Sequence, residues 1–334
     1  LLFWVSCLFL LLYKASETSN LKGSDTIKGV VTRSTSSESV AKLAPMSKIA
    51  YGTRGGKEQT AELVREAILA GFRQIVTSSH HQNHNETGVG VGWKLAAKEL
   101  KNPQLTRNDL FLQSMFVPFN GADFRRQHTD PSSNATLPTI ADQVRITVEQ
   151  SLQNLQTTYV DAMLYHNFRA ELHPYQDMIA AWRVLEEYVQ RGVVRYLGIS
   201  NCHDVEYFRR LYNESVVKPT IVQNRFHSNR NFDISLRPMF REHKVAVQRF
   251  WVLTGNGDGV KRNAEMAKLK GLTPEQLMFA FIMSLGDIPL VGAHSLQHLK
   301  DDIQVANTYE RVFDDINGKD LERATFARNL GIKE

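Results

Sequence analysis

A closed (β/α)8 barrel is the fold class this sequence predicts, and three observations predict it. From about residue 46 onward, short apolar runs alternate with amphipathic stretches. The alternation repeats through eight units in roughly 260 residues, the length of a closed parallel barrel. The 334 residues are 42% hydrophobic and 22% charged, a composition that supports one large globular core.

The elements follow in order. Lys48–Tyr51 has strand character. Residues 59–69 carry Leu63, Ala67 and Ile68 on one helical face. Residues 73–77 predict a strand, 86–100 a helix, 110–115 a strand and 140–155 a helix. Strands at 159–165 and 193–199 bracket a helix at 177–190; a helix at 204–212 leads to a strand at 219–223. A helix near 234–240 precedes a strand at 245–248. Helices near 261–270 and 274–284 precede the strand 288–291, and a last helix starts near Ser295. A doubly wound sheet would need a glycine-rich phosphate loop after its first strand. Gly52-Thr53-Arg54-Gly55-Gly56 matches that poorly, and Gly255-Asn256-Gly257-Asp258-Gly259 follows a late strand, so both clusters are expected to be turns.

Ahead of the barrel, Leu1–Tyr13 is apolar apart from Ser6. As a helix it would be about 20 Å long, short of the ~30 Å hydrocarbon core. The end of a membrane anchor and the apolar part of a signal peptide are the two readings, and the anchor is preferred, since no small-residue cleavage site follows promptly. Residues 15–45, rich in Ser and Thr, read as a tether. The organisation is therefore anchor (1–14), tether (15–45) and barrel (46–334). The net charge of +5 is dispersed, with no basic run to track a phosphate backbone, so nucleic acid is not an expected partner. Cys7 and Cys202 make no disulfide framework and no metal-type spacing.

Several segments, in order, carry a family resemblance: Ala70-Gly71-Phe72-Arg73-Gln74-Ile75, Asn85-Glu86-Thr87-Gly88-Val89-Gly90, Ser151-Leu152-Gln153-Asn154-Leu155, Leu197-Gly198-Ile199-Ser200-Asn201 and Val222-Gln223-Asn224-Arg225-Phe226. From about Pro45 to Ile303 the chain resembles the aldo-keto reductases, most closely the branch of fungi, algae and plants. The resemblance implies NADPH-dependent carbonyl reduction without a metal. It also implies a tetrad: a Tyr acid, tuned by a Lys held by an Asp, and a His that orients the carbonyl. A free phenol has a pKa near 10, which is why such tuning is required.

The tetrad positions have changed. Val76 stands where the family has Asp, His84 (or His81 in another alignment) where it has Tyr, and Met115 where it has Lys; His166 alone remains. Removing one partner of a buried ion pair costs about 3–5 kcal/mol, whereas replacing both with apolar side chains is often neutral. Val76 and Met115 read as such a joint replacement. His80, His81 and His84 share one loop that His166 can face. They read as a polar rim, a substitute acid or metal ligands; the rim is preferred and no metal site is assigned.

For the cofactor, the resemblance implies nicotinamide contacts from Ser200, Asn201 and Gln223, with Phe250 or Trp251 as the stacking aromatic. Residues retained only for folding are the alternative reading. For the 2′-phosphate, the resemblance implies Lys-Ser-x-x-x-x-Arg after the last strand; here Val291-Gly292-Ala293-His294-Ser295 follows, with His298 near the Arg position and Lys300 beyond. The expectation is a catalytically inactive accessory or structural subunit of a membrane complex, in a mitochondrial or plastid membrane. The alternatives are an NADPH-dependent reductase with a His acid and an NADP(H)-binding sensor without turnover.

Overall fold

The computed structural model describes residues 46–101, 103–118, 138–166, 174–292, 295–313 and 319–332. The expected anchor and tether lie outside the described residues. Among the described residues, no helix is long and apolar enough to cross a membrane.

Eight parallel strands close a barrel in chain order. They are β1 (Ala50–Gly52), β2 (Gln74–Val76), β3 (Phe111–Phe116), β4 (Val160–Tyr165), β5 (Val194–Ser200), β6 (Ile221–Arg225), β7 (Ala246–Phe250) and β8 (Ile288–Val291). The pairs Ala50↔Leu290 and Tyr51↔Val291 seal the ring between β1 and β8. Around it run α1 (Thr60–Ala70), α2 (Glu86–Glu99), α3 (Ile140–Leu155), α4 (Tyr175–Gln190), α5 (Val205–Glu214), α6 (Arg237–Glu242), α7 (Gly257–Arg262), α8 (Ala264–Leu269), α9 (Pro274–Ser284), α10 (Leu296–Val312) and α11 (Lys319–Leu330).

The expected strands are all present. Two helical expectations need correction. Gly255 lies in a turn as expected, but Gly257 and Gly259 open α7, and Gly259 passes against Leu330, where a Cβ would lie 2.7 Å from its side chain. The helix expected near 234–240 starts only at Arg237, after a 3-10 turn in which Asn231, Phe232 and Asp233 have φ of 45°, 51° and 56°. Left-handed backbone at three successive non-glycine residues is costly. It is held here because Phe232 is buried and Asp233 is tied into a charge network. Helix α11 was not anticipated; its sequence has no clear apolar stripe, and Phe326 supplies the buried anchor.

Strand periodicity divides the core. Inward-facing Ala50, Val76, Phe111, Met115, Ala162, Leu164, Ile221 and Ile288 form one apolar cluster inside the barrel. Outward-facing strand residues pack on the helices in the larger cluster. Leu63, Ala67 and Ile68 of α1 are buried there, as their spacing predicts. At the N-terminal end of β4, Asp161 is pinned by Arg107 and Arg195, both at 2.8 Å, with the Tyr159 ring sandwiched about 4 Å from each guanidinium. That end of the barrel is built for stability.

The glycines of α2 explain its close docking. A Cβ at Gly88 or Gly92 would run into Thr60 or Ala61 of α1, and one at Gly90 would lie 2.2 Å from the Asn154 carbonyl oxygen. Backbone cannot yield as a side chain does. Gly90→Ala is therefore expected to cost about 3 kcal/mol or more, read as a lower urea midpoint of unfolding.

Candidate functional site

The C-terminal ends of the strands surround a cleft of about 1140 Å3, the position at which barrels of this class carry their sites. Its floor is the upper part of the apolar cluster, with Val76 1% and Met115 4% exposed. Val76 pairs in register with Gln113, two residues before Met115, so the two side chains face the same interior from adjacent strands.

Above this floor stand the histidines. His84 Nδ1 is 3.3 Å from Thr53 Oγ1, whose hydroxyl is 3.0 Å from Thr77 Oγ1. Burial depresses the His84 pKa to about 3, helped by His166, His80 and Arg54, each of which opposes a further positive charge. At neutral pH His84 is thus an uncharged imidazole, able to hydrogen-bond but not held as an imidazolium acid. His80 and His166 line the same cleft; His80 Nδ1 lies 3.1 Å from Asn83 Nδ2, and the His166 amide donates to Phe116 O at 2.8 Å. His81 does not join them. It is exposed and borders a separate recess beside Lys57 and Glu86, because the turn between β2 and α2 directs it away from the mouth. Among the described residues, no three His, Cys, Asp or Glu side chains are grouped to hold a metal ion.

The residues expected to meet a nicotinamide also converge. Ser200 ends β5, Asn201 follows it, and Gln223 lies on neighbouring β6; all three line the cleft. The Asn201 amide donates to Gln223 O at 2.9 Å, and Asn201 Nδ2 to Ser200 Oγ at 3.1 Å. Gln223 Nε2 donates to Gln248 Oε1 at 2.7 Å, and Gln248 is paired across the barrel with Gln113. This buried amide chain fixes the Gln223 side chain. Phe250 and Trp251 both border the cleft. Trp251 takes a left-handed φ of 61° and is 41% exposed, with the Arg225 guanidinium 4.5 Å from its ring centroid. A bulky residue in that backbone region is strained, and strain of this kind collects at binding sites. Behind the strand, Arg249 is fully buried between Asp233 and Asp287, and Asp233 also contacts His203, so the end of β7 is rigidly held.

The cleft also contains residues that sequence reasoning missed. Arg54 follows β1 and Arg225 ends β6, both at strand C-termini, a position that could have singled them out. Glu275, Asp301 and Asp302 line another part of the wall, with His298. Asp302 is only 6% exposed, and burial, with Asp301 and Glu275, raises its pKa to about 7. The signal was present: Leu299, Asp302 and Val305 are the buried residues of α10, so helical spacing puts a carboxylate in an apolar stripe.

The comparisons agree with this architecture. The solved aldo/keto reductase of Brucella melitensis superposes with a TM-score of 0.63 at 21% identity, covering 84% of this chain and 94% of that one. An aldo-keto reductase of Bombyx mori, solved with NADP, gives 0.63 at 21%, covering 84% and 88%. In sequence, the methylglyoxal reductase DkgA of Yersinia pestis is 26% identical over 274 residues, 78% of this chain and 83% of that protein. An uncharacterised oxidoreductase of Schizosaccharomyces pombe is 30% identical over 196 residues, 54% of this chain and only 51% of that protein. The profile of the aldo/keto reductase family matches residues 48–263, more than half of the sequence and every strand up to β7, and the chain belongs to that family.

Proposed function

We propose that this protein is a catalytically silent aldo/keto reductase that retains a dinucleotide cleft and serves as an accessory subunit of a membrane complex. The observation that carries the silence is the floor of the cleft. Val76 and Met115 lie together in one apolar cluster where the resemblance implies a carboxylate and an ammonium. Neither side chain can hold or move a proton, and His84, at the position implied for the acid, is kept neutral. The cleft suits a nicotinamide dinucleotide: its volume is ample, Ser200, Asn201 and Gln223 offer donors and acceptors for an amide, and Trp251 offers an exposed ring face. Bound, the dinucleotide would supply a hydride. What this chain lacks is a tuned acid to complete a carbonyl reduction.

Purified protein is expected to show no carbonyl-dependent oxidation of NADPH or NADH with methylglyoxal or glyoxal between pH 6 and 8. The competing reading is a reductase with a histidine acid, favoured by the convergence of His80, His84 and His166 on one cleft. Turnover that disappears in both His84→Ala and His166→Ala would establish that reading and remove ours. The subunit role is supported by the apolar run Leu1–Tyr13. Its test is native isolation: co-purification with membrane proteins is expected, and a free soluble monomer would end it.

A further inference from the structure

Asp302 is the most unusual polar group in the cleft. It is 94% buried by its 6% exposure, it lines the cavity, and among the described residues no hydrogen-bond donor reaches its carboxylate. The charges that act on it, Asp301 and Glu275, are both negative. His298 is the one basic side chain among the described cleft-lining residues of α9 and α10, while Lys300 is exposed and outside the lining. Of the arginines lining the cleft, Arg54 lies near enough to His84 to oppose its protonation and Arg225 lies over the Trp251 ring, and neither is among the charges that act on Asp302. A buried carboxylate without a partner costs free energy that a ligand with paired O–H or N–H donors recovers.

We propose that the Asp302 wall receives a vicinal diol, so that the cleft selects NAD(H) over NADP(H). This rests on the dinucleotide reading given above and specifies which member of that class is bound. The ribose of NAD(H) offers two hydroxyl donors to a carboxylate. A 2′-phosphate removes one donor and brings a further negative charge toward Glu275, Asp301 and Asp302, where His298 is the basic side chain among the described lining residues of that wall. Like charges brought together in a partly desolvated site repel strongly. The site thus works by rejection as much as by attraction.

The test is calorimetric titration of the whole chain at pH 8 with NADH, NADPH, ADP and 2′,5′-ADP, with no turnover needed. NADH is expected to bind at least about tenfold more tightly than NADPH, and ADP more tightly than 2′,5′-ADP. In Asp302→Asn, with its fold checked by circular dichroism, the NADH advantage is expected to shrink by about tenfold. Equal or tighter binding of NADPH, or an advantage unchanged in Asp302→Asn, would overturn the selectivity while leaving dinucleotide binding intact. If neither dinucleotide binds at millimolar concentration, the dinucleotide reading falls and takes this inference with it.

Discussion

At pH 8 the Asp302→Asn protein is expected to melt several degrees above the parent, and by pH 4.5 most of that gap should close. The cause is an unpaid desolvation. In the unfolded chain this carboxyl loses its proton near the ordinary value of 3.8; in the fold it holds the proton until about pH 7. A raised folded-state pKa means that the folded state binds the proton more tightly. Its contribution is therefore fully present below pH 3.8 and is lost as the pH rises toward 7. The complete interval corresponds to about 4 kcal/mol, an upper bound because the carboxylate borders a cleft open to water. Half of that still moves the midpoint by several degrees in a domain of this size. Asn has nearly the same shape and no charge, so it removes the penalty at high pH and changes little where Asp302 is already protonated. Differential scanning of the two proteins from pH 4.5 to 8 reads the effect. A gap that stays constant with pH would mean that Asp302 is not the group responsible.

The contrast between Asp302 and the strands shows what the sequence makes legible. Each strand announces itself because β-branched and aromatic runs recur between helical stripes, a pattern set by local periodicity alone. Gly88 and Gly90 were visible in a motif, but their reason, like that of Gly92, lies in the close approach of α1 and α3, which no local pattern encodes. The site divides the same way. Ser200, Asn201, Gln223, Phe250 and Trp251 are picked out by the family resemblance, and all five line the cleft at the strand ends. His81 and His84 are three residues apart and chemically identical; only the turn geometry sends one to the surface and the other onto Thr53. The neutrality of His84 was equally hidden, since it depends first on burial in the fold and then on His166, His80 and Arg54, brought together from different strand ends. Asp302 was accessible to reasoning that treats a charge inside a helical apolar stripe as a signal.

Returning the implied ion pair to the barrel floor is expected to give strong non-additivity. Val76→Asp alone places a carboxylate in a cluster of Ala50, Met115, Leu164 and Ile221, with no cation beside it. Met115→Lys alone does the same with an ammonium. Each single change is expected to destabilise by about 3–5 kcal/mol, the range for an uncompensated buried charge. Val76 and Met115 sit on adjacent strands, Met115 two residues beyond the register partner of Val76, and both point inward. In the double variant the two charges can therefore meet, and the cost should fall below the sum of the singles by about 1–3 kcal/mol. A double-mutant cycle in urea measures this coupling directly. Simple addition would mean that the side chains do not meet and that the apolar couple is not a joint replacement. The same variant bears on chemistry. Asp and Lys restore the tuning groups but not the phenol, and a lysine at 115 adds another positive charge near His84, driving that imidazole further from protonation. On the silent-barrel reading proposed above, the double variant is expected to regain the pair and show no reductase activity, whereas activity in it would assign the proposed silence to the floor and not to the acid position.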